Sequence, residues 1–296
     1  MQTVRSFFNK LANLCQCCEQ GKDAARPKKR QKCCAISQCC NQKLSKRSIH
    51  DVRTVLRSAL SNAVIEDRIS KNPAALVKVS PGKKRKIQPW SVEDARKFLV
   101  SAREAGDPYY AAYVLILVLG LRRGEALGLG WPEVDFASGV LTPAHGLQRI
   151  GKQLVLDDLK SEDSEAPLPL PDICVAALRH RRAEQAAHKV ALGAPWPDRE
   201  DLVFTSRIGA PTDPRSFARA FNRRCEQAGV RRIRVHDTRH TCGSLLAAMD
   251  VHPRVAMQIL RHSKIATTIE IYTHVPSEVT RRALKHLGAS LDGLSG

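Results

Sequence analysis

The sequence predicts a mainly α-helical protein of two domains with one small antiparallel β-sheet. The chain has 296 residues, and a domain commonly holds about 150 residues. Apolar residues recur at helical spacing through most of the chain. Short β-prone pieces separated by turn residues interrupt this pattern near its middle. A small sheet inside a helical domain accommodates both patterns.

The composition combines a globular profile with a large excess of positive charge. Hydrophobic residues make up 43% of the chain and charged residues 26%, as in globular proteins. Lysine and arginine number 48 against 29 acidic residues, a net charge of +19. Because Lys and Arg release counterions from phosphate backbones, this charge predicts a nucleic-acid partner, with a merely basic surface as the alternative. Aromatic residues are only 5% of the chain, which argues against a stacking platform for single strands.

Neither a membrane span nor secretion is expected. The longest apolar run, residues 111–121, is too short to cross a bilayer. The chain does not open with a charged segment, an apolar core and a small-residue cleavage site. We therefore expect a cytoplasmic protein without a membrane partner.

Residues 1–80 are predicted to form a small helical domain. Apolar residues at helical spacing predict a helix within residues 1–14. A further helical region is predicted from Ser48, a suitable N-cap, to the Asn72-Pro73 pair that ends it. Residues 81–89 form a basic run flanked by prolines, which we interpret as a linker, with an ordinary solvated loop as the alternative.

Seven of the ten cysteines lie within residues 15–40, in the pattern C-x-C-C, 14 residues, C-C-x₄-C-C. Four thiolates are sufficient for a structural zinc ion. The spacing predicts zinc ligands from both ends of this segment, with neighbouring cysteines as alternatives; the candidates are Cys15, Cys18, Cys34 and Cys39. Free thiols are the second interpretation. Disulfides are the third, which the missing secretion signal disfavours.

Residues 90–287 are predicted to form the second domain, followed by a tail over 288–296. Ser91, followed three residues later by Asp94, predicts a capping box at the start of its first helix. The β-prone pieces lie around Val134, around Val140, and over residues 154–156 and 166–170. The predicted helices are Tyr110–Leu121, Asp172–Leu192, Asp213–Ala228, Asp237–Met249, Pro253–Leu260 and Ser277–Leu287.

Six polar residues stand where these elements are predicted to end or begin. They are Arg122, Lys160, His236, Arg239, His262 and Tyr272. Taken singly, each has a structural interpretation as a surface charge, a solvated turn residue, an exposed pair on one helix face or a half-buried core tyrosine. Their order and local motifs favour a shared function.

The motifs around these residues are distinctive. Arg122 lies in GLRRGEALGL, the His236-x-x-Arg239 pair in HDTRH, His262 in LRHSKIATT and Tyr272 in YTH. They resemble the tyrosine recombinases, the phage-type site-specific integrases, whose active site is Arg, Lys, His-x-x-Arg, His or Trp, and Tyr in that order. The resemblance covers about residues 90–285. Residues 45–80 are similar to the end of the family's helical, SAM-like core-binding domain.

The resemblance implies DNA strand breaking and rejoining that needs no metal or nucleotide cofactor. Tyr272 would attack a backbone phosphate and form a 3′-phosphotyrosine link. Arg122 and Arg239 would clamp the phosphate, because guanidinium groups make paired hydrogen bonds to it. His262 would donate a further hydrogen bond to the charge that builds on the phosphate oxygens.

Two further residues would act on protons. His236 would handle the tyrosine proton or hold the site in shape. Lys160, on a hairpin, would protonate the leaving 5′-oxygen. The resemblance also implies double-stranded DNA as partner, four copies at a synapse and a bacterial nucleoid location. The helix after Val275-Pro276 would pack on a neighbouring protomer, or alternatively cap its own domain.

The chain departs from the family's pattern at several positions. Arg261 stands where the family usually has glycine in L-G-H, and Gly130 where it usually has arginine in L-R-W. Acidic residues follow Lys160 and are expected to weaken contact of the hairpin with DNA. Only a short segment precedes the cysteines, which are similar to an insertion of actinobacterial-type integrases, so we expect a shortened N-terminal region.

Three other functions are weighed against an active recombinase. A truncated remnant would bind DNA without completing recombination. A zinc-stabilised DNA-binding protein would have no enzymatic activity. The His236 and His240 pair has the spacing of a zinc-protease helix, but Asp237 stands where that motif needs glutamate as its general base.

Overall fold

The secondary structure of the chain falls into two units, Met1–Lys86 and Ile87–Gly296. They are seen in a computed structural model that describes residues 2–82, 87–159, 165–197 and 201–272. We call them the N-terminal and C-terminal units. The predicted final helix over 277–287, part of the linker and the tail lie outside the described residues.

The described residues of the N-terminal unit form three α-helices, which are α1 (Gln2–Asn13), α2 (Gln16–Glu19) and α3 (Lys46–Ile65), and two short 3-10 helices. Its small core buries Phe8, Ile49 and Val77. The predicted first helix is confirmed, but the prediction of Ser48 as the N-cap of α3 is wrong. Ser45 is the N-cap, and its hydroxyl accepts the backbone N–H of Ser48. Both serines suit a cap, and the apolar spacing alone does not distinguish them.

The C-terminal unit is built around α5, a helix that is apolar on every face and is buried from Ala111 to Leu117. The helices of this unit are α4 (Val92–Glu104), α5 (Tyr110–Val118), α6 (Arg123–Gly128), α7 (Asp172–Leu192), α8 (Pro214–Gln227), α9 (Asp237–Ala248), α10 (Pro253–Leu260) and α11 (Ile265–Tyr272). The predicted capping box at Ser91 and Asp94 is confirmed at the start of α4.

Aromatic rings fill the contact between α4, α5 and α8. Phe98 packs its ring 5.0 Å from that of Tyr113 and 5.1 Å from that of Phe221. Trp90 stacks on Phe221 and fixes the entry to α4, because its backbone N–H donates to the hydroxyl of Thr241. This contact ties the first segment of the unit to α9, which carries Arg239 and directly follows His236.

The described residues form two small antiparallel sheets, rather than the single sheet that the sequence predicted. The first has the order β1 (Val134–Asp135), β2 (Val140–Leu141) and β5 (Leu168–Pro169). The second is a hairpin of β3 (His145–Ile150) and β4 (Gln153–Asp158). Strand β3 was missed because Leu147 is its only buried residue, so it lacks an apolar alternation.

The hairpin lies directly on α6. A side chain in place of Gly128 would meet the backbone nitrogen of Leu147 at 2.7 Å, which explains why only glycine fits there. No described helix is both long and apolar enough to span a membrane.

Helix α5 ends at Val118, three residues before the predicted end at Leu121. The cause is Gly120, whose φ of +62° takes the chain out of the helix. A Cβ at this position would lie 2.6 Å from a methyl of Leu260. The early end brings the following loop, with Arg122, against α9 and α10.

Candidate active site

Arg122 is the residue immediately before α6 and follows the buried loop after α5. Its backbone N–H and its Nη1 both donate to the carboxylate of Glu125, at 2.9 and 2.5 Å. The Arg122 side chain keeps 39% of its surface exposed. This fixed yet accessible guanidinium suits contact with an anion.

Arg239 is buried in the first turn of α9. Its Nη1 donates to the carbonyl of Gly120 at 2.6 Å, and its Nε donates to Nε2 of His262 at 3.3 Å. Burial first, and then the positive charge of Arg122, lower the pKa of Arg239 to about 9. Arg122 contributes to this shift after burial, because a like charge disfavours the charged form of Arg239.

His262 follows α10 and is half-buried beside Arg239. Because its Nε2 accepts from Arg239, its proton belongs on Nδ1, which lies 2.9 Å from the hydroxyl of Thr268. Burial, Arg239 and Arg122 lower the pKa of His262 to about 4. Its imidazole is therefore neutral at pH 7, while an added anion would favour its protonated form.

His236 immediately precedes α9, one helical turn before His240. The two rings meet edge to face with centroids 5.7 Å apart. Burial, His240 and Arg239 lower the pKa of His236. The charges of Arg239 and His240 lower the pKa values of both His236 and His262. The two imidazoles therefore share one electropositive site.

Glu125 and Arg261 belong to this site, although sequence reasoning assigned neither a role. Nη2 of Arg261 donates to the Glu125 carboxylate, which also receives Arg122. Both side chains are buried. Arg261 adopts a left-handed φ of +50° at the end of α10, which explains the family's usual glycine there. The arginine in place of that glycine was the sequence feature that could have identified Arg261 as part of the site.

Tyr272 ends α11 and is half-buried. Its hydroxyl donates to the backbone carbonyl of Val251 at 2.7 Å, rather than to an arginine or histidine of the site. Burial, and then Cys242, raise the pKa of Tyr272. The structure therefore brings together four of the predicted side chains: Arg122, Arg239, His236 and His262. The hydroxyl of Tyr272 instead contacts the backbone of the loop between α9 and α10.

Lys160, the remaining predicted site residue, lies outside the described residues. The hairpin that precedes it ends at Asp158. The described part of the chain therefore provides four clustered side chains and the tyrosine.

The predicted zinc ligands are placed in the N-terminal unit, apart from this cluster in the sequence. The convergent thiols there include Cys15, Cys18, Cys33 and Cys39, whereas Cys34 is exposed. Cys33 thus takes the place that the sequence assigned to Cys34. Cys34 begins a 3-10 turn, and its Sγ lies 4.0 Å from the backbone carbonyl oxygen of Cys17.

The described residues do not support the zinc-protease interpretation of His236 and His240. Within them, only cysteine groups converge closely enough to hold a metal ion. The geometry instead suits anion binding by two guanidinium groups and an imidazole, with acidic Glu125 fixing one of the guanidinium groups from behind.

A family model described as the phage integrase family matches residues 92–278. The chain belongs to the phage integrase family. The match contains α4 through α11, and so the whole cationic cluster. The resemblance carried by the sequence motifs is confirmed.

Relatives of this phage integrase family member include an integrase of Saccharopolyspora erythraea, 28% identical over 80% of this chain and 65% of its own length. A XerC-like tyrosine recombinase of Caldanaerobacter subterraneus is 27% identical over 82% of this chain and 66% of its own length. The chain thus spans just under two thirds of these relatives.

Solved structures share the fold of this phage integrase family member. The Tn1549 transposon integrase, in complex with a circular intermediate DNA, has a TM-score of 0.69 and 22% identity, covering 82% of this chain and 80% of its own. The XerH site-specific recombinase has a TM-score of 0.57 and 20% identity over 81% of this chain and 67% of its own. The predicted fold class, mainly helical with small antiparallel strands, is confirmed.

Proposed function

We propose that this chain is a site-specific DNA recombinase that cuts and rejoins duplex DNA through a 3′-phosphotyrosine intermediate. The observation that carries the proposal is the convergence of Arg122, Arg239 and His262 around one electropositive site. Family membership supports it, as do the structures of the Tn1549 integrase in complex with a circular intermediate DNA and of XerH bound to a palindromic difH substrate.

The two arginines would bind the nonbridging oxygens of the scissile phosphate. Arg122 is partly exposed and held by Glu125, while Arg239 is buried and held by the Gly120 carbonyl. Such fixed donors stabilise developing negative charge without reorganising during the reaction. The repulsion between the two guanidinium groups would be relieved when the phosphate binds between them.

His262 would supply a third donor. Its Nε2 accepts from Arg239 in the structure, so donation to a phosphate oxygen requires a proton on Nε2. The negative charge of the phosphate favours that proton, because it raises the pKa of the imidazole from its depressed value. Thr268, which faces Nδ1, would hold the ring in place.

Tyr272 would be the nucleophile. Its hydroxyl must first leave the Val251 carbonyl, to which it donates in the structure. The tyrosine oxygen then bonds to phosphorus, the bond from phosphorus to the 5′-oxygen breaks, and the 5′-oxygen takes a proton. His236 would accept or orient the tyrosine proton, and Lys160 would protonate the 5′-oxygen.

Strand exchange would follow by the reverse reaction on a partner strand. The 5′-hydroxyl of that strand attacks the phosphotyrosine and releases Tyr272. The bond energy of the phosphodiester stays in the phosphotyrosine, so no nucleotide or metal cofactor takes part. The net charge of +19 supports duplex DNA as the partner. We extend the proposal to a tetramer at the synapse, acting on DNA of the bacterial nucleoid.

A covalent trap tests this function. The protein is incubated with nicked duplexes from the ends of its own genetic element and separated on a denaturing gel. We expect a protein–DNA adduct that persists with a chelator and disappears in Tyr272→Phe. DNA binding without an adduct at either end would favour the truncated remnant, and an adduct that survives Tyr272→Phe would identify a different nucleophile.

A further inference from the structure

Four cysteine thiols of the N-terminal unit converge on one point. The Sγ atoms of Cys15, Cys18, Cys33 and Cys39 all lie within 4.8 Å of one another. Cys33 lies 3.3 Å from Cys18 and 4.0 Å from Cys15, and Cys18 lies 3.8 Å from Cys39. They come from both ends of the cysteine-rich segment, so the fold rather than sequence adjacency gathers them.

These separations match a tetrahedral metal site. A Zn–S bond of about 2.3 Å in a tetrahedron places neighbouring sulfur atoms about 3.8 Å apart. A disulfide would need a sulfur separation of about 2.0 Å, and all ten cysteines are free. The thiol spacing is that of a ligand set.

The surrounding backbone is arranged to hold thiolates rather than thiols. The backbone N–H of Cys40 donates to Sγ of Cys33 at 3.2 Å, and that of Asn41 donates to Sγ of Cys39 at 3.4 Å. Cys15 stands at the residue before α2. Backbone N–H donors to sulfur favour the charged thiolate that a metal needs.

A buried carboxylate fixes the second half of the site. Asp23 is fully buried, and its oxygens accept the backbone N–H groups of Lys32, Cys33 and Ala35. It also pairs with Arg26 at 2.8 Å. Through these bonds Asp23 bends the chain around Cys33, as outer-shell groups do at metal centres.

This region has no apolar core of its own. Its buried cluster consists of Cys15, Cys17 and Cys33, with Cys18 and Cys40 packed against it. It is separate from the cluster of Phe8, Ile49 and Val77. A segment this small requires a metal or another cross-link to hold a fixed structure.

We propose that Cys15, Cys18, Cys33 and Cys39 bind one structural zinc ion. Thiolates select zinc or iron among the common metals, and four of them close the coordination sphere, which leaves no position for substrate. Cys17 and Cys40 form a second group that shares Cys33 and holds only three thiols. They therefore line the site without completing another.

The zinc ion would fix the loop between the two cysteine pairs. This loop exposes five basic side chains; they are Lys22, Lys28, Lys29, Arg30 and Lys32. Binding at both ends converts a highly charged and self-repelling loop into a fixed basic surface. The zinc thus stabilises structure and takes no part in the chemistry at Tyr272.

The test uses the full chain, purified without chelator, and measures bound metal by elemental analysis. We expect about one zinc ion per chain. In Cys33→Ser the zinc content should fall at least tenfold, whereas Cys34→Ser, which changes the adjacent exposed thiol, should retain it. Cys39→His should also retain zinc, because imidazole replaces thiolate in Cys₃His sites.

A cobalt titration of the metal-stripped wild-type chain keeps the test independent of how the variants fold. Binding should saturate at one cobalt per chain and give the intense visible absorption and thiolate charge-transfer bands of tetrahedral sulfur coordination. Two metals per chain, iron in place of zinc, no metal, or equal losses in Cys33→Ser and Cys34→Ser would each overturn the proposal.

Discussion

The carboxylate of Glu125 holds the guanidinium of Arg122 at 2.5 Å. The other oxygen of this carboxylate accepts from Nη2 of Arg261. Burial alone would raise the pKa of Glu125, but Arg261 and Arg122 outweigh it and the pKa lies below its usual range. Glu125 is therefore ionised at neutral pH and fixes the Arg122 guanidinium, to which the proposed function assigns the phosphate.

Arg261→Gly should destabilise the protein although it restores the residue that relatives usually have. The substitution relieves a left-handed backbone at a gain of about 1 kcal/mol. It also removes one partner of a buried ion pair, which costs about 3–5 kcal/mol. We expect a net loss on the order of 2 kcal/mol in the free energy of unfolding, measured by urea denaturation at pH 7. A variant more stable than wild type would contradict a stabilising role for the pair.

Arg122→Lys should slow adduct formation by about 100-fold, because lysine cannot reproduce the paired hydrogen bonds of a guanidinium to phosphate. The matched control is Arg123→Lys, at the neighbouring exposed position. Single-turnover rates on the nicked duplex measure both variants. Equal rates for the two variants would mean that Arg122 does not bind the phosphate.

Gly120→Ala should be more destabilising than Gly106→Ala. Both glycines have positive φ, +62° and +55°, so both substitutions strain the backbone. Only at Gly120 would the new methyl meet Leu260, at 2.6 Å. We expect a difference of about 1–2 kcal/mol in the free energy of unfolding, together with slower adduct formation, because the Gly120 carbonyl holds Arg239. Equal losses of stability in the two variants would mean that backbone strain alone accounts for the destabilisation.

The depressed pKa of His262 should make stability fall in mild acid. Its pKa lies near 4 in the folded protein against 6.5 as the ordinary value. The unfolded chain therefore binds the proton first, and the stability present above pH 6.5 is lost as the pH falls towards 4. Allowing for solvent at this half-exposed ring, the loss is on the order of 2 kcal/mol.

The comparison of wild type with His262→Asn isolates this contribution, since the lowered pKa of His236 contributes to the stability of both proteins. Denaturation is measured at pH 7.5 and pH 5 for each. Wild type should lose more stability than the variant between these pH values. Identical losses would mean that His262 does not carry the depressed pKa.

Strong periodic patterns and local motifs made much of this structure predictable. The helices over Asp172–Leu192 and Pro253–Leu260 have the bounds that the sequence predicts. The capping box at Ser91 was also predictable, because its two residues, Ser91 and Asp94, lie only three residues apart. The motif residues at Arg122, Arg239 and His262 lie together as their order suggested.

Features that depend on long-range packing were not predictable. Strand β3 is defined by pairing with β4 rather than by its own pattern. Whether Cys33 or Cys34 turns inward depends on backbone bonds to Asp23, ten residues earlier. The Glu125–Arg261 pair joins residues far apart in sequence, so the sequence around one residue does not indicate the other as its partner.

The identity of the residue that becomes covalently linked to DNA tests the central claim most directly. The adduct formed on a nicked duplex is digested with nuclease and protease, and the modified peptide is sequenced by mass spectrometry. The account predicts a nucleotide phosphate on the hydroxyl of Tyr272, joined through the 3′ end of the DNA. A nucleotide on any other residue, or a link through the 5′ end, would contradict it.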